Sequence, residues 1–243
     1  MHRLALLIFS ALIFVNKKVP AQTAAADSAF LIKAKLYSRQ TLFQNAQETV
    51  PLYQGKEFVQ YGQMIKGTPF FLYSKPEKGN LEYNHVFYAD ITLAYDMIAD
   101  KVIIRDYSNP YLMIAPTEKI NYFKLGEHIF FRPEADIRYQ GLSDTGFYEI
   151  IYPGRSMVVA KKWKQVQYLQ GEEIPYAFMS FEKYYMYDQK TFREVNSRND
   201  LHSIFKGKEK EMKKIIRSQD LNFKKNKEQS LIQSASYFDQ LNK

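Results

Sequence analysis

The sequence predicts a mainly β fold: a curved antiparallel sheet, or an open barrel or sandwich, with a small C-terminal helical appendage. Three observations point there. In residues 79–107, Leu81 and Tyr83 alternate with Glu82 and Asn84. Ile91, Leu93 and Tyr95 then alternate with Asp90, Thr92 and Asp96, and Val102 and Ile104 follow a polar break at Asp100-Lys101. Side chains two apart in a strand share a face, so this is a meander with one wet face and one dry one. The second observation is composition: the 243 residues include 19 Tyr and 18 Phe against one Trp, which suits half-buried sheet surfaces. The third is a change at Asn196, after which apolar residues fall at helical spacing and lysine accumulates.

Taken in order, residues 1–21 have the pattern of a secretory signal peptide. Met1-His2-Arg3 is a short basic start, residues 4–15 are an apolar run, and Val19-Pro20-Ala21 offers small residues to a signal peptidase. The run of about twelve residues falls short of the roughly twenty that a spanning helix needs, so cleavage is expected rather than anchoring. Asn16-Lys17-Lys18 places charge before the cut site. No later run approaches spanning length. The chain has no cysteine, which excludes a lipid anchor, disulfides, zinc–thiolate sites and thiol catalysis. The remaining 222 or so residues are enough to bury a core without cross-links.

Residues 22–49 form an N-terminal segment in which Phe30, Leu31, Leu36, Leu42 and Phe43 suggest a helix capped by Ser28. Residues 50–195 form the β-rich body. Gly55, Gly62 and Gly67 punctuate short aromatic pieces, and residues 74–80 form a loop before the meander. Further strands are expected at residues 111–115, ended by Pro116, and at 120–125 and 128–131, split by Gly126. Pro153-Gly154 marks a tight hairpin between strands 147–152 and 156–161. Strands 183–187 and 191–195 form the last hairpin. Residues 196–243 form a basic helical tail packed on the body. Ser197 and Asp200 can make a capping box before Leu201, Ile204 and Phe205. Met212, Ile215 and Ile216 follow. Asn226 can cap a final helix whose stripe is Leu231, Ile232, Ala235, Phe238 and Leu241.

The pieces Leu52-Tyr53-Gln54-Gly55-Lys56-Glu57-Phe58, Gly67-Thr68-Pro69-Phe70-Phe71 and Leu93-Ala94-Tyr95-Asp96 occur together with Asn222-Phe223-Lys224-Lys225 and a terminal Tyr237-Phe238. In these the chain resembles a loosely defined group of uncharacterised exported proteins of Bacteroidetes-type bacteria. The resemblance implies export from a Gram-negative cell, to the periplasm or the cell surface. It brings no activity and no catalytic residues.

The search for chemistry is mostly negative. His85, His128 and His202 stand apart, with no HExxH or comparable ligand spacing. There is no GxSxG elbow, no phosphate-binding loop and no cofactor motif. Asp90 and Asp96, with Glu82 facing them, are the one carboxylate set that could act on a glycan. Lys161-Lys162-Trp163-Lys164 is basic with an aromatic inside, a pattern that can stack on a ring while holding an anion. Lys224, Lys225 and Lys227 form a second basic group, expected to face outward. The formal charge of +8 falls to +5 once Arg3, Lys17 and Lys18 leave with the signal, and residues 193–227 alone carry a net +6. Basicity is therefore regional. Export removes nucleic acid from reach, which leaves an anionic envelope polymer or another envelope protein as partner. The sequence reads as an exported, non-catalytic binding or envelope-accessory module without a cofactor. The alternative is a carboxylate-based glycan hydrolase.

Overall fold

The computed structural model describes residues 52–241 apart from 53–54, 63, 106–110, 134–138, 144, 206 and 219–220. The signal peptide (1–21) and the expected helix within residues 22–49 lie outside the described residues. The fold is β-rich, a largely antiparallel open sheet of twelve strands with three helices toward the C-terminal end.

The strands are β1 (Lys56–Glu57), β2 (Ile65–Lys66), β3 (Glu77–Tyr83), β4 (Val86–Asp96), β5 (Lys101–Arg105), β6 (Leu112–Ile114), β7 (Ile120–Leu125), β8 (His128–Phe131), β9 (Tyr148–Tyr152), β10 (Val158–Tyr168), β11 (Tyr176–Tyr187) and β12 (Phe192–Glu194). They lie in the order β1-β6-β5-β4-β3-β7-β8-β9-β10-β11-β12, with β2 parallel to β11. The central meander is as the alternation predicts, β3 on β4 and β4 on β5, with Leu93 opposite Ile104.

Its second face is not wet. Leu81, Tyr83, Leu93, Tyr95, Val102 and Ile104 pack with Phe123, Phe130 and Phe147 in the largest apolar cluster. On the opposite face, Ala94 and Ile103 are buried under Phe58 and Phe70, with Tyr61 beside them. Asp96 is 1% exposed there. The alternation is also broken once. Asp90 has a left-handed backbone, with φ of 56°, and forms a bulge opposite Asn80. Tyr88 and Ile91 consequently both reach the main cluster, although they are three apart. Asp90 N–H donates to Asn80 Oδ1, and Lys78 Nζ to the Asp90 carbonyl.

The sheet curls. Lys164 N–H on β10 donates to the Met97 carbonyl just beyond β4 (2.9 Å), although four strands separate β4 from β10 in the order. Residues 55–71 strap the curl together. β1 pairs with β6, β2 with β11, and Phe70 bridges to Asp96. A Cβ on Gly55 would run into the Ile114 carbonyl, so the strap starts where only glycine fits.

β10 and β11 run to 11 and 12 residues, well past the short strands the spacing predicts. Lysines and glutamines on both faces mask this extension, and Leu169 N–H to the Pro175 carbonyl closes it. The helices α1 (Arg198–Ile204), α2 (Glu209–Ser218) and α3 (Lys227–Leu241) cover the near half of this hairpin. Leu201, Phe205, Met212, Leu231, Ala235 and Phe238 meet Val158, Ala160, Tyr184 and Met186 in a second apolar cluster. The tail is thus part of the fold. Among the described residues, no helix is long and apolar enough to cross a membrane.

Candidate functional site

The two apolar clusters occupy one face of the curled sheet, and a charged seam separates them. Strand parity builds it. Phe130 of β8 enters the main cluster, so His128 shares that face, and Phe147 puts Glu149 of β9 there too. Val158 and Ala160 enter the helical cluster, and Lys162 and Lys164 continue their face along β10. Opposite them on β11 stand Glu182 and Ser180.

Glu149 is 3% exposed. Its Oε1 lies 2.5 Å from His128 Nδ1, and Lys162 Nζ lies 2.7 Å from Oε2. Lys162 also donates to Glu228 Oε2 on α3 (3.1 Å), which accepts from the Tyr184 hydroxyl as well (3.0 Å). Burial alone would lower the Lys162 pKa, but Glu149 and Glu228 outweigh it and hold the ammonium above its ordinary value. Burial, then Glu228 and Glu182, push the Tyr184 phenol far up. The Phe71 ring closes the seam edge-on to His128, 4.9 Å between centroids.

Above the seam a groove of about 510 Å³ opens. Phe71, Leu72 and Met97 form one side, Lys162 and Lys164 the floor, and Ser180, Phe181 and Glu182 the other side. Lys164 is spent on structure, donating to the Thr68 and Phe70 carbonyls at 2.8 and 2.7 Å, and burial lowers its pKa. The groove therefore has one apolar wall, Phe71, Leu72 and Met97, and a facing wall that carries Ser180 and Glu182, over lysines that are already matched.

The Lys161–Lys164 tetrad is divided by this geometry. Lys161 Nζ is 2.5 Å from Asp100 Oδ2 and also meets the Phe147 carbonyl. Lys162 and Lys164 belong to the groove. Trp163 points to the other face and stacks on Phe181 at 5.7 Å. In the tail, Lys224 and Lys225 are exposed, their backbone N–H groups donating to Asn222 Oδ1. Lys224 borders a separate cavity of about 420 Å³ with Arg198 and Phe223. Lys227 does not face outward like them. Its ammonium sits over the Tyr184 ring, and burial lowers its pKa despite Glu182, Glu194 and Asp200.

The carboxylate set is not brought together. Asp90 and Asp96 lie six residues apart on β4, about 20 Å at strand rise, against the 5–10 Å that glycosidic chemistry uses. Asp96 holds the turn after β4, accepting from Tyr61 and from the Ile98 and Ala99 N–H groups. Glu82 is buried beside exposed His85. Burial, then Lys213 and Arg198, lower the His202 pKa. Among the described residues, no group of three or more His, Asp or Glu could hold a metal ion.

Glu149, Glu182, Tyr184, Glu228, Phe71 and Met97 were not singled out by sequence. One signal was there to find: in Phe147-Tyr148-Glu149-Ile150-Ile151, a carboxylate stands on the inward parity of an otherwise apolar strand. No family model matches the chain, and no curated protein and no solved structure is similar to it.

Proposed function

We propose that the protein is an exported, non-catalytic binding module of a Gram-negative cell envelope, with the groove as its binding site and another envelope protein as its partner. Export rests on residues 1–21 and on the resemblance to exported proteins of Bacteroidetes-type bacteria. The binding role rests on one observation: the groove lies over a buried ionic seam between two apolar clusters. Buried charges are costly, and apolar residues at the same positions would often be more stable. Retained at the floor of a groove, such a seam is better explained by recognition than by stability. A protein partner is favoured over an anionic polymer at this site because Lys161, Lys162 and Lys164 are all committed to internal acceptors.

The test is site-specific photo-cross-linking in intact cells of the native host. A photoreactive residue replaces Leu72 at the groove rim, or Val86 at the far end of β4 as control. The expected result is an adduct with an envelope protein from position 72 and none from position 86. Equal labelling at both positions, no adduct at 72, or a cytoplasmic species retaining Met1 would contradict the reading.

A further inference from the structure

β11 is paired to β10 along its length, but its other edge is only partly covered. β2 occupies that edge at Tyr176 and Ala177, and β12 at Tyr185, Met186 and Tyr187. Among the described residues, no strand pairs with this edge over residues 178–183. The direction of the backbone groups follows from neighbouring bonds. Tyr187 N–H donates to the Met157 carbonyl beside β10, and the Pro175 carbonyl accepts from Leu169, whereas the Tyr184 carbonyl accepts from Val195 on the β12 side. Odd-numbered residues of β11 thus turn their main-chain groups toward β10 and even-numbered ones away. Ser180 and Glu182 hold N–H and C=O groups out to the open edge, in the wall of the groove.

Resting on the groove reading above, we propose that its partner is an extended peptide segment that adds as a strand to this edge of β11, between β2 and β12. Three features set the occupant. Unpaired strand groups are a template for main-chain hydrogen bonding, the basis of strand addition. The opening spans six residues, about 20 Å, and is stopped at both ends by strands. A second copy's β11, at 12 residues, would collide with β2 and β12, whereas a short linear segment enters and leaves. The side chains of an added strand alternate between two surfaces. One set meets Met179, 40% exposed, and Phe181, and takes an apolar residue. The other set faces the groove beside the exposed Glu182 carboxylate, and takes a basic one.

The probe is a library of random linear dodecapeptides selected on the full chain, with the best peptide synthesised, labelled and titrated. Ser180→Pro removes an outward N–H and leaves the β10 ladder intact, as proline at a sheet edge does. It should weaken binding by about tenfold or more, as expected for one lost strand hydrogen bond that leaves a peptide carbonyl unpaired, with Ser180→Ala nearly unchanged. On the wild-type chain, N-methylating one alternate set of peptide amides should abolish binding and N-methylating the other set should not, which keeps the test decisive if Ser180→Pro fails to fold. Any of the following overturns the proposal: no peptide selected, binding that survives Ser180→Pro, tolerance of N-methylation at both sets, or a dimer that Ser180→Pro converts to monomer. Leu72→Asp separates the two readings. If peptide binding survives it, the edge site stands and the groove reading falls. If position 72 cross-links a partner whose capture ignores Ser180→Pro, the groove stands and the edge site falls.

Discussion

Glu149, 3% exposed, holds an imidazole and an ammonium at once. Such a carboxylate cannot be removed cheaply, because its partners would stay behind. Glu149→Gln removes the negative charge that Lys162 shares with Glu228, and its single amide oxygen can accept from His128 or from Lys162 but no longer from both. Breaking a buried pair by removing one member costs about 3–5 kcal/mol. Chemical denaturation should show a loss in that range, and a loss within experimental error would mean that the seam is open to solvent. This residue was legible only as an anomaly of parity, a glutamate on the apolar side of a strand. Its partners were not, since His128, Lys162 and Glu228 come from three other elements. The Lys161–Lys164 tetrad was legible as charge but not as charge already matched. Asp100, the Phe147 carbonyl and the strap carbonyls that absorb it are all distant in sequence.

The elements that local rules specify were the most readable. Ser197 and Asp200 form the capping box their spacing predicts: the Ser197 hydroxyl accepts from Asp200 N–H, and Asp200 Oδ2 accepts from the Ser197 and Asn196 N–H groups. Burial is the largest single influence on Asp200 and raises its pKa, but the Asn196 and Ser197 N–H groups, the Ser197 hydroxyl and Lys227 together outweigh it, and the folded value lies below the ordinary one. A depressed carboxylate adds stability above its unfolded pKa of about 4 and loses it as pH falls through the lower folded value. Asp200→Asn should therefore lower the melting temperature near neutrality, by a cap's worth of about 1 kcal/mol. The difference from wild type should vanish in strong acid. A difference that persists there would assign the effect to packing.

The last helix was readable for a similar reason. Asn226 caps it, its carboxamide oxygen accepting from Gln229 N–H, and Leu231, Ala235 and Phe238 of the expected stripe are buried. Phe238 meets the Phe205 ring at 4.5 Å, so Phe238→Ala should cost about 3–5 kcal/mol in thermal or chemical unfolding. Lys224→Gln with Lys225→Gln should leave melting unchanged, since both side chains stand in water. Lys227→Gln should lower it, because Lys227 covers Tyr184. Equal effects from all three would contradict the placement of Lys227. What local rules could not supply was the length of β10 and β11. Lysine and glutamine on both faces obscure the period, and the strands are specified by pairing with each other along eleven positions.

At the scale of the whole molecule, strand existence was readable and closure was not. Turn glycines and alternation identify the pieces, but the order β3-β7-β8-β9-β10 and the strap of residues 55–71 depend on long-range contacts. The strap explains why the polar side of the meander was misread as wet: it lays Phe58, Tyr61 and Phe70 over Ala94, Asp96 and Ile103. It also sets the site, because Phe71 and Leu72 at its end wall the groove, and β2 within it bounds the open edge of β11. The account thus turns on whether that edge is free. Residue-resolved amide hydrogen exchange on the unliganded protein tests this directly. The N–H groups of Met179, Phe181 and Lys183 point to β10 and should be protected, while those of Ser180 and Glu182 point to the open edge and should exchange quickly. Protection of all five amides would show that the edge is already occupied, and would contradict the account.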